Sequence, residues 1–190
     1  MRVDHADTAA GAVYYRDRQP PDLGATYVTT GTVDTLPPPG YESARRLLEV
    51  ELDHADAALS LQPWTPELGW APEGLVWAVV SGIKARTSAL DEQPIIKLTL
   101  SLSESFVLTP AGGEPVAAEP GEVDMLDAEL GLGLGLGLSV SFGMPASFTK
   151  GRLAVTAAGR LEALYKDQDF PCRWTEPPPT ERIAVDLAKD

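Results

Sequence analysis

From Leu130 to Met144 every second position is apolar: Leu130, Leu132, Leu134, Leu136, Leu138, Val140, Phe142 and Met144. A period of two predicts a β-strand with one continuous apolar face. The other face holds Gly131, Gly133, Gly135, Gly137, Ser139, Ser141 and Gly143. Repeated glycine weakens a strand unless a helix, a second sheet, a neighbouring subunit or a ligand must approach its backbone closely. Gly131, Gly133, Gly135 and Gly137, with Leu132, Leu134, Leu136 and Leu138, therefore form a candidate packing or assembly strand.

Two further runs alternate. Residues 75–87 place Leu75, Trp77, Val79, Ile83 and Ala85 on one side. Residues 95–109 place Ile96, Leu98, Leu100, Leu102, Phe106 and Leu108 on one side, with Lys97, Thr99, Ser101, Ser103 and Ser105 opposite. At about 3.3 Å per residue this run and the glycine-leucine run each span about 40 Å. Strands of that length twist into a sandwich or barrel, or reach toward a partner.

Ser43 to Ser60 reads as a helix, rich in Ala, Arg, Leu and Glu, with Leu48, Leu52, Ala55 and Leu59 on one stripe. The competing reading is a strand, because Leu48, Val50 and Leu52 also alternate with Glu49, Glu51 and Asp53. Residues 160–167, with Leu161, Leu164 and Tyr165, read as a short second helix or a continuation of the sheet. The expected fold is mainly β: an antiparallel sandwich or barrel-like domain with an accessory helix at about 43–60 and a short one at about 160–167.

Proline runs punctuate the chain. Pro37-Pro38-Pro39-Gly40 closes an N-terminal strand and turn segment over 1–40, since proline removes backbone donors and favours extended polyproline geometry. A main β-rich region follows over 41–168. Pro177-Pro178-Pro179 then marks a proline-rich C-terminal appendage over 169–190, all within a length of 190 residues that suits one domain. The acidic connection 110–129 is long enough to act as a lid or assembly arm.

Charge narrows the partners. With 28 acidic against 15 basic residues the formal charge is −13. A surface of that sign repels phosphate, and the basic residues do not cluster, so nucleic acid is not an expected partner. Neither a signal-peptide pattern at the N-terminus nor an apolar run of spanning length is present, which points to a cytoplasmic or particle-associated protein and away from a membrane. Cys172 is the one cysteine, so no intramolecular disulfide forms.

Catalytic motifs are absent. There is no Gly-x-Ser-x-Gly, phosphate-binding glycine loop, His-Glu-x-x-His or recognisable Cys/His spacing, and no cofactor is expected. Both histidines lie in one repeated tetrapeptide, Asp4-His5-Ala6-Asp7 and Asp53-His54-Ala55-Asp56. Brought together, His5, His54, Asp53 and Asp56 have the chemistry to bind zinc, although solvated polar faces are the heavier expectation. Trp64 and Trp70 lie in the proline-rich stretch 61–74, with Trp77 just beyond it. These rings are a candidate stacking platform, weighed against the commoner use of tryptophan as a plug at the end of a core.

The pattern favours a non-catalytic structural or assembly subunit, or an interaction module of a larger complex such as a virion, a tail-like particle or a scaffold. Its expected partner is a second copy or another protein. One alternative is a barrel or sandwich that binds a small apolar molecule or lipid. Another is a β-hairpin, built from 95–109 and 130–143, contributed to an oligomeric membrane pore. If the glycine face is closely covered, Gly135→Val disrupts folding or assembly far more than valine's strand propensity implies. Normal yield and particle size for that variant would show the face to be open.

Overall fold

The alternating runs fold as strands, and the computed structural model is mainly β with one short helix. It describes Leu23 and residues 26–89, 95–125, 137–165 and 168–187. In chain order the elements are β1 (Thr26–Thr35), β2 (Arg45–Asp53), β3 (Ala58–Gln62), β4 (Trp64–Thr65), β5 (Gly69–Trp70), β6 (Leu75–Ala89) and β7 (Ile95–Ser101). There follow α1 (Leu102–Ser105), β8 (Phe106–Pro110), β9 (Val116–Ala117), β10 (Glu122–Asp124) and β11 (Gly137–Pro145). The chain ends with β12 (Lys150–Val155), β13 (Gly159–Tyr165), β14 (Gln168–Trp174) and β15 (Glu181–Asp186).

Among the described residues a large antiparallel sheet runs β10-β7-β13-β14-β1-β2-β6-β11, with β3 also on β6, and curls into a half-barrel. A smaller sheet, β15-β12-β8-β9, faces its interior, and β4 and β5 form a separate two-stranded ribbon. The core joins both sheets. Leu48, Leu52, Leu98 and Phe142 from the large one and Phe106, Leu108, Leu153 and Val155 from the small one are all fully buried.

Residues 43–60 are not a helix. Leu48, Val50 and Leu52 are completely buried at a period of two, and β2 bonds to β1 on one side and β6 on the other. Ladders on both sides engage the backbone from Leu48 to Asp53, which overrides the modest helical preference of Leu, Ala and Glu. The 160–167 helix is likewise replaced: β13 lies between β7 and β14, with Leu161 and Ala163 turned inward.

The run 95–109 is not one strand either. Its chain leaves the large sheet after Ser101, makes the single turn α1, and enters the small sheet as β8. Ser105 ties this corner to the backbone of Ala158, 53 residues further along the chain. The Ser105 hydroxyl donates to the Ala158 carbonyl at 2.9 Å and accepts the Ala158 N–H at 3.2 Å. Four residues of helix preserve the alternation, so Leu98, Leu100, Phe106 and Leu108 share the core as expected. At the same corner Gly159 has φ +149°, and a Cβ there would fall 2.1 Å from the Thr99 carbonyl oxygen, so a side chain is excluded.

In β6 the expected face is split by a bulge. Val76, Ala78 and Val80 face the core together with Ile83 and Ala85, whereas Trp77 and Val79 lie outside that cluster. The register with β11 shifts between Leu138 and Val140, opposite Ser81 and Gly82. Gly82 has φ +85°, and a Cβ would stand 3.2 Å from the Asp56 carbonyl oxygen, so glycine suits both the conformation and the space.

The strand at 130–144 is seen from Gly137 onward; Gly131, Leu132, Gly133, Leu134, Gly135 and Leu136 lie outside the described residues. Leu138, Val140, Phe142 and Met144 are buried, as their period predicts. On the opposite face the described glycines, Gly137 and Gly143, are not closely covered. A Cβ on Gly137 would meet nothing within 4 Å, and one on Gly143 would only reach ordinary contact with the Trp77 ring at 3.6 Å. The segment after residue 169 is woven into the body: β14 lies between β13 and β1, and β15 edges the small sheet.

Tyr27 fastens the two layers. Its side chain is 2% exposed; its hydroxyl donates to the Pro179 carbonyl at 2.8 Å and accepts the Ala157 N–H at 3.2 Å. Burial raises the phenol above its ordinary pKa. Tyr27→Phe leaves both backbone groups without that partner and is expected to cost about 1–3 kcal/mol, read as a lower urea midpoint with unchanged slope. An unchanged midpoint would show that the bridge contributes nothing.

Candidate functional site

Residues 45–89 form one long hairpin. β2 and β3 run successively along the same edge of β6, separated by a four-residue bulge at 54–57. Its end is the ribbon β4–β5, which carries the tryptophans. Thr65 pairs with Gly69 across the loop Pro66-Glu67-Leu68, the Thr65 hydroxyl accepts the Leu68 N–H at 3.1 Å, and Gly69 has φ +75°. Proline early in the loop and a left-handed glycine immediately after it let the chain reverse tightly here.

The register sets Trp64 directly opposite Trp70. At the neighbouring position the Ala71 N–H donates to the Pro63 carbonyl at 2.8 Å, which makes the tryptophan pair a non-hydrogen-bonded one. Side chains at such pairs share a face at the closest cross-strand spacing. Trp64 is 46% exposed and Trp70 75% exposed, and Leu68 and Leu75 nearby are also exposed. Large apolar side chains grouped at the surface mark interaction sites more often than single ones do.

Trp77 has a different role. It is 7% exposed, and its indole N–H donates to the Gly69 carbonyl at 3.0 Å. It thus holds the base of the ribbon against the outer face of β6, where Gly143 on β11 leaves room beside its ring. Of the three predicted tryptophans, two form an exposed pair and the third supports them. Trp64 and Trp70 are exposed and Trp77 lies outside the core cluster, so none of the three plugs the end of the core.

The tip has a charge character of its own. From Ala55 to Ile83 the sequence has no Lys, Arg or His, while Glu67 and Glu73, both exposed, flank Trp70 three residues away on either side in sequence. Aromatic faces and carboxylates both attract cations, the former through the ring quadrupole. A groove of about 320 Å³ lies elsewhere, between Thr29–Thr32 of β1 and the strap Thr175–Pro179. Threonine and proline line most of it, unlike the apolar pocket a lipid ligand needs.

Of the proposed metal ligands only His54, Asp53 and Asp56 lie among the described residues, and His5 lies outside them. His54 is fully buried with its ring edge-on to Phe106 at 6.3 Å. Asp53 accepts the Ala55 N–H at 2.9 Å and the Thr26 hydroxyl at 3.0 Å, and that backbone bond is the main reason its pKa is lowered. Asp56 pairs with Lys84 at 2.6 Å. Among the described residues no group of three or more His, Cys, Asp or Glu is placed to hold a metal ion. Cys172, half-buried on β14, has its thiol pushed up to about 11 by burial, which suppresses the thiolate that a nucleophile requires.

The sequence flagged Trp64 and Trp70 but not their pairing, which depends on the loop register. It also missed Gly69, whose carbonyl receives Trp77; the Pro-x-x-Gly spacing around it was the available signal. No protein-family model matches the chain, and no curated protein or solved structure matches it either. Trp70→Ala is expected to change stability by less than about 0.5 kcal/mol, and Trp77→Ala to cost about 3 kcal/mol or more. Equal shifts in the two denaturation midpoints would contradict this division between display and support.

Proposed function

We propose that this chain is a non-catalytic interaction module of a larger assembly, and that it docks onto a basic protein surface through the Trp64–Trp70 tip of its long hairpin. The exposed cross-strand tryptophan pair is the single observation that supports this reading. Two indoles on one face give a large contact area at little conformational cost, as binding hot spots do. Glu67 and Glu73, near Trp70 in sequence, add attraction for Arg or Lys on the partner, with arginine able to stack on the rings as well.

The architecture suits the role. A ribbon held by Trp77 and rooted in β3 and β6 presents its rings with little ordering left to complete on binding. No helix among the described residues is long and apolar enough to cross a membrane. The two strands of the membrane-hairpin alternative are not neighbours: β7 pairs with β10 and β13, and β11 pairs with β6 at the other end of the sheet.

The test is size in an extract of the cells that make the protein. The wild-type chain is expected to run well above 20.2 kDa in company with another protein. A photo-crosslinker replacing Trp70 should capture that protein, while one replacing the exposed Arg152 on β12 should not. Trp64→Ala with Trp70→Ala is expected to weaken the association about 100-fold or more, as the loss of two hot-spot side chains does. An association unchanged in the double variant would overturn the proposal.

A further inference from the structure

We propose that the groove between β1 and the strap Thr175–Pro179 binds a neutral carbohydrate, with the Trp174 indole N–H donating to a sugar oxygen. The groove shares no lining residue with the tryptophan tip, and the inference does not rest on that reading. Its volume is about 320 Å³. Small-molecule sites span about 300–1,000 Å³, so a single sugar ring or a short oligomer suits it.

The groove forms where the chain leaves the large sheet. β14 pairs with β1 over Val33–Thr35, and the Thr175 N–H then donates to the Thr32 carbonyl at 2.7 Å. From there the strap parts from the strand. It is tied again at Pro179, whose carbonyl accepts the Tyr27 hydroxyl at 2.8 Å, and at Thr180, whose hydroxyl lies 2.7 Å from that of Thr156. Pro177, Pro178 and Pro179 keep the chain between these ties extended, so it bridges the space instead of collapsing into it. A site shaped before its ligand arrives loses little order on binding.

The lining has the chemistry of a sugar's complement. Thr29–Thr32 bring hydroxyl and backbone groups, Glu176 brings a carboxylate, and Trp174 and the prolines bring rings. A pyranose combines C–H faces for such rings with a rim of hydroxyls that both donate and accept. No Lys, Arg or His is among the described residues lining the groove, so a phosphate or a carboxylic acid finds no counter-charge there.

Trp174 supplies the unmet bond. Its ring meets Gly31 through one edge: a Cβ on Gly31 would fall 2.7 Å from Cζ3 and 2.9 Å from Cε3. The nitrogen therefore lies on the edge of the ring away from Gly31. It is buried, and it has no hydrogen-bond partner among the described residues. Buried donors without an acceptor are rare in folded chains and costly. This one belongs to a residue in the wall of a groove wide enough to admit an acceptor. A small shift of the ring or of the strap's middle brings a sugar oxygen to it.

Proton–nitrogen correlation spectra of the full chain provide the test, through the indole N–H signals of its 4 tryptophans. The probes are glucose, galactose, mannose and N-acetylglucosamine, followed by short oligomers of each. The Trp174 signal is the one missing from Trp174→Phe or, should that variant not fold, the one with through-space contacts to Gly31. At least one saccharide is expected to shift that signal in a saturable way while the Trp64 and Trp70 signals stay in place. Glu176→Ala, a change on the exposed strap, should weaken the same titration about tenfold or more, as the loss of a hydrogen bond to a charged group does. A Trp174 signal that no saccharide moves up to the limit of solubility overturns the proposal. So does a saccharide that moves the Trp64 and Trp70 signals instead, or one that binds Glu176→Ala as tightly as the wild-type chain.

Discussion

The bulge where β6 meets the junction of β2 and β3 is the constraint on which the other features depend. Gly82 occupies a left-handed backbone conformation against the Asp56 carbonyl, and around it the inward face of β6 changes parity. Below the bulge Ile83 and Ala85 enter the core; above it Val76, Ala78 and Val80 do. Trp77 is consequently turned to the outside of the half-barrel. Without the inserted residue it would point into the core, and the ribbon would have nothing to fasten to. One glycine therefore separates a tryptophan used for packing from a tryptophan used as support.

A second constraint is the division of the large sheet into two antiparallel groups. One holds β1, β2, β3, β6 and β11; the other holds β10, β7, β13 and β14. They meet at a short seam where Val33, Asp34 and Thr35 pair with Trp174, Arg173 and Cys172. Backbone bonds from Thr175 to Thr32 and from Leu36 to Pro171 extend it. Trp174 lies over Gly31 so closely that a Cβ there would come within 2.7 Å of its ring. Tyr27, on the same strand, fastens the seam region to the segments before β13 and β15.

Much of this was legible in the sequence because period-two patterns survive folding wherever one face is buried. The strands β6, β7, β8 and β11 follow from such patterns, and the antiparallel β class follows from them. The errors have local physical causes. Residues 43–60 satisfy two periodicities at once, and only the presence of neighbours on both sides decides for the strand. The corner at α1 is hidden because a four-residue turn preserves the alternation of apolar positions. The parity change at Gly82 is hidden because a bulge inserts a residue without changing composition. At the candidate site the tryptophans were visible as residues, but their separation into an exposed pair and a buried support comes from the three-residue loop and the bulge together. The close covering expected for the glycine face is absent at Gly137, where the strand opens to solvent.

The seam also orders events in time. β1 and β14 are separated by most of the chain, so during synthesis from the N-terminus the hairpin 45–89 and its partner β1 are complete long before β14 exists. Until then the edge of β1 at Val33–Thr35 has no partner from β14, and Gly31 offers bare backbone where Trp174 will lie. Non-local pairings of this kind slow folding and expose strand edges while they wait. A strand made late, β14, is thus the one that closes the half-barrel, and a ribosome pausing before residue 168 would hold two half-sheets that have yet to meet.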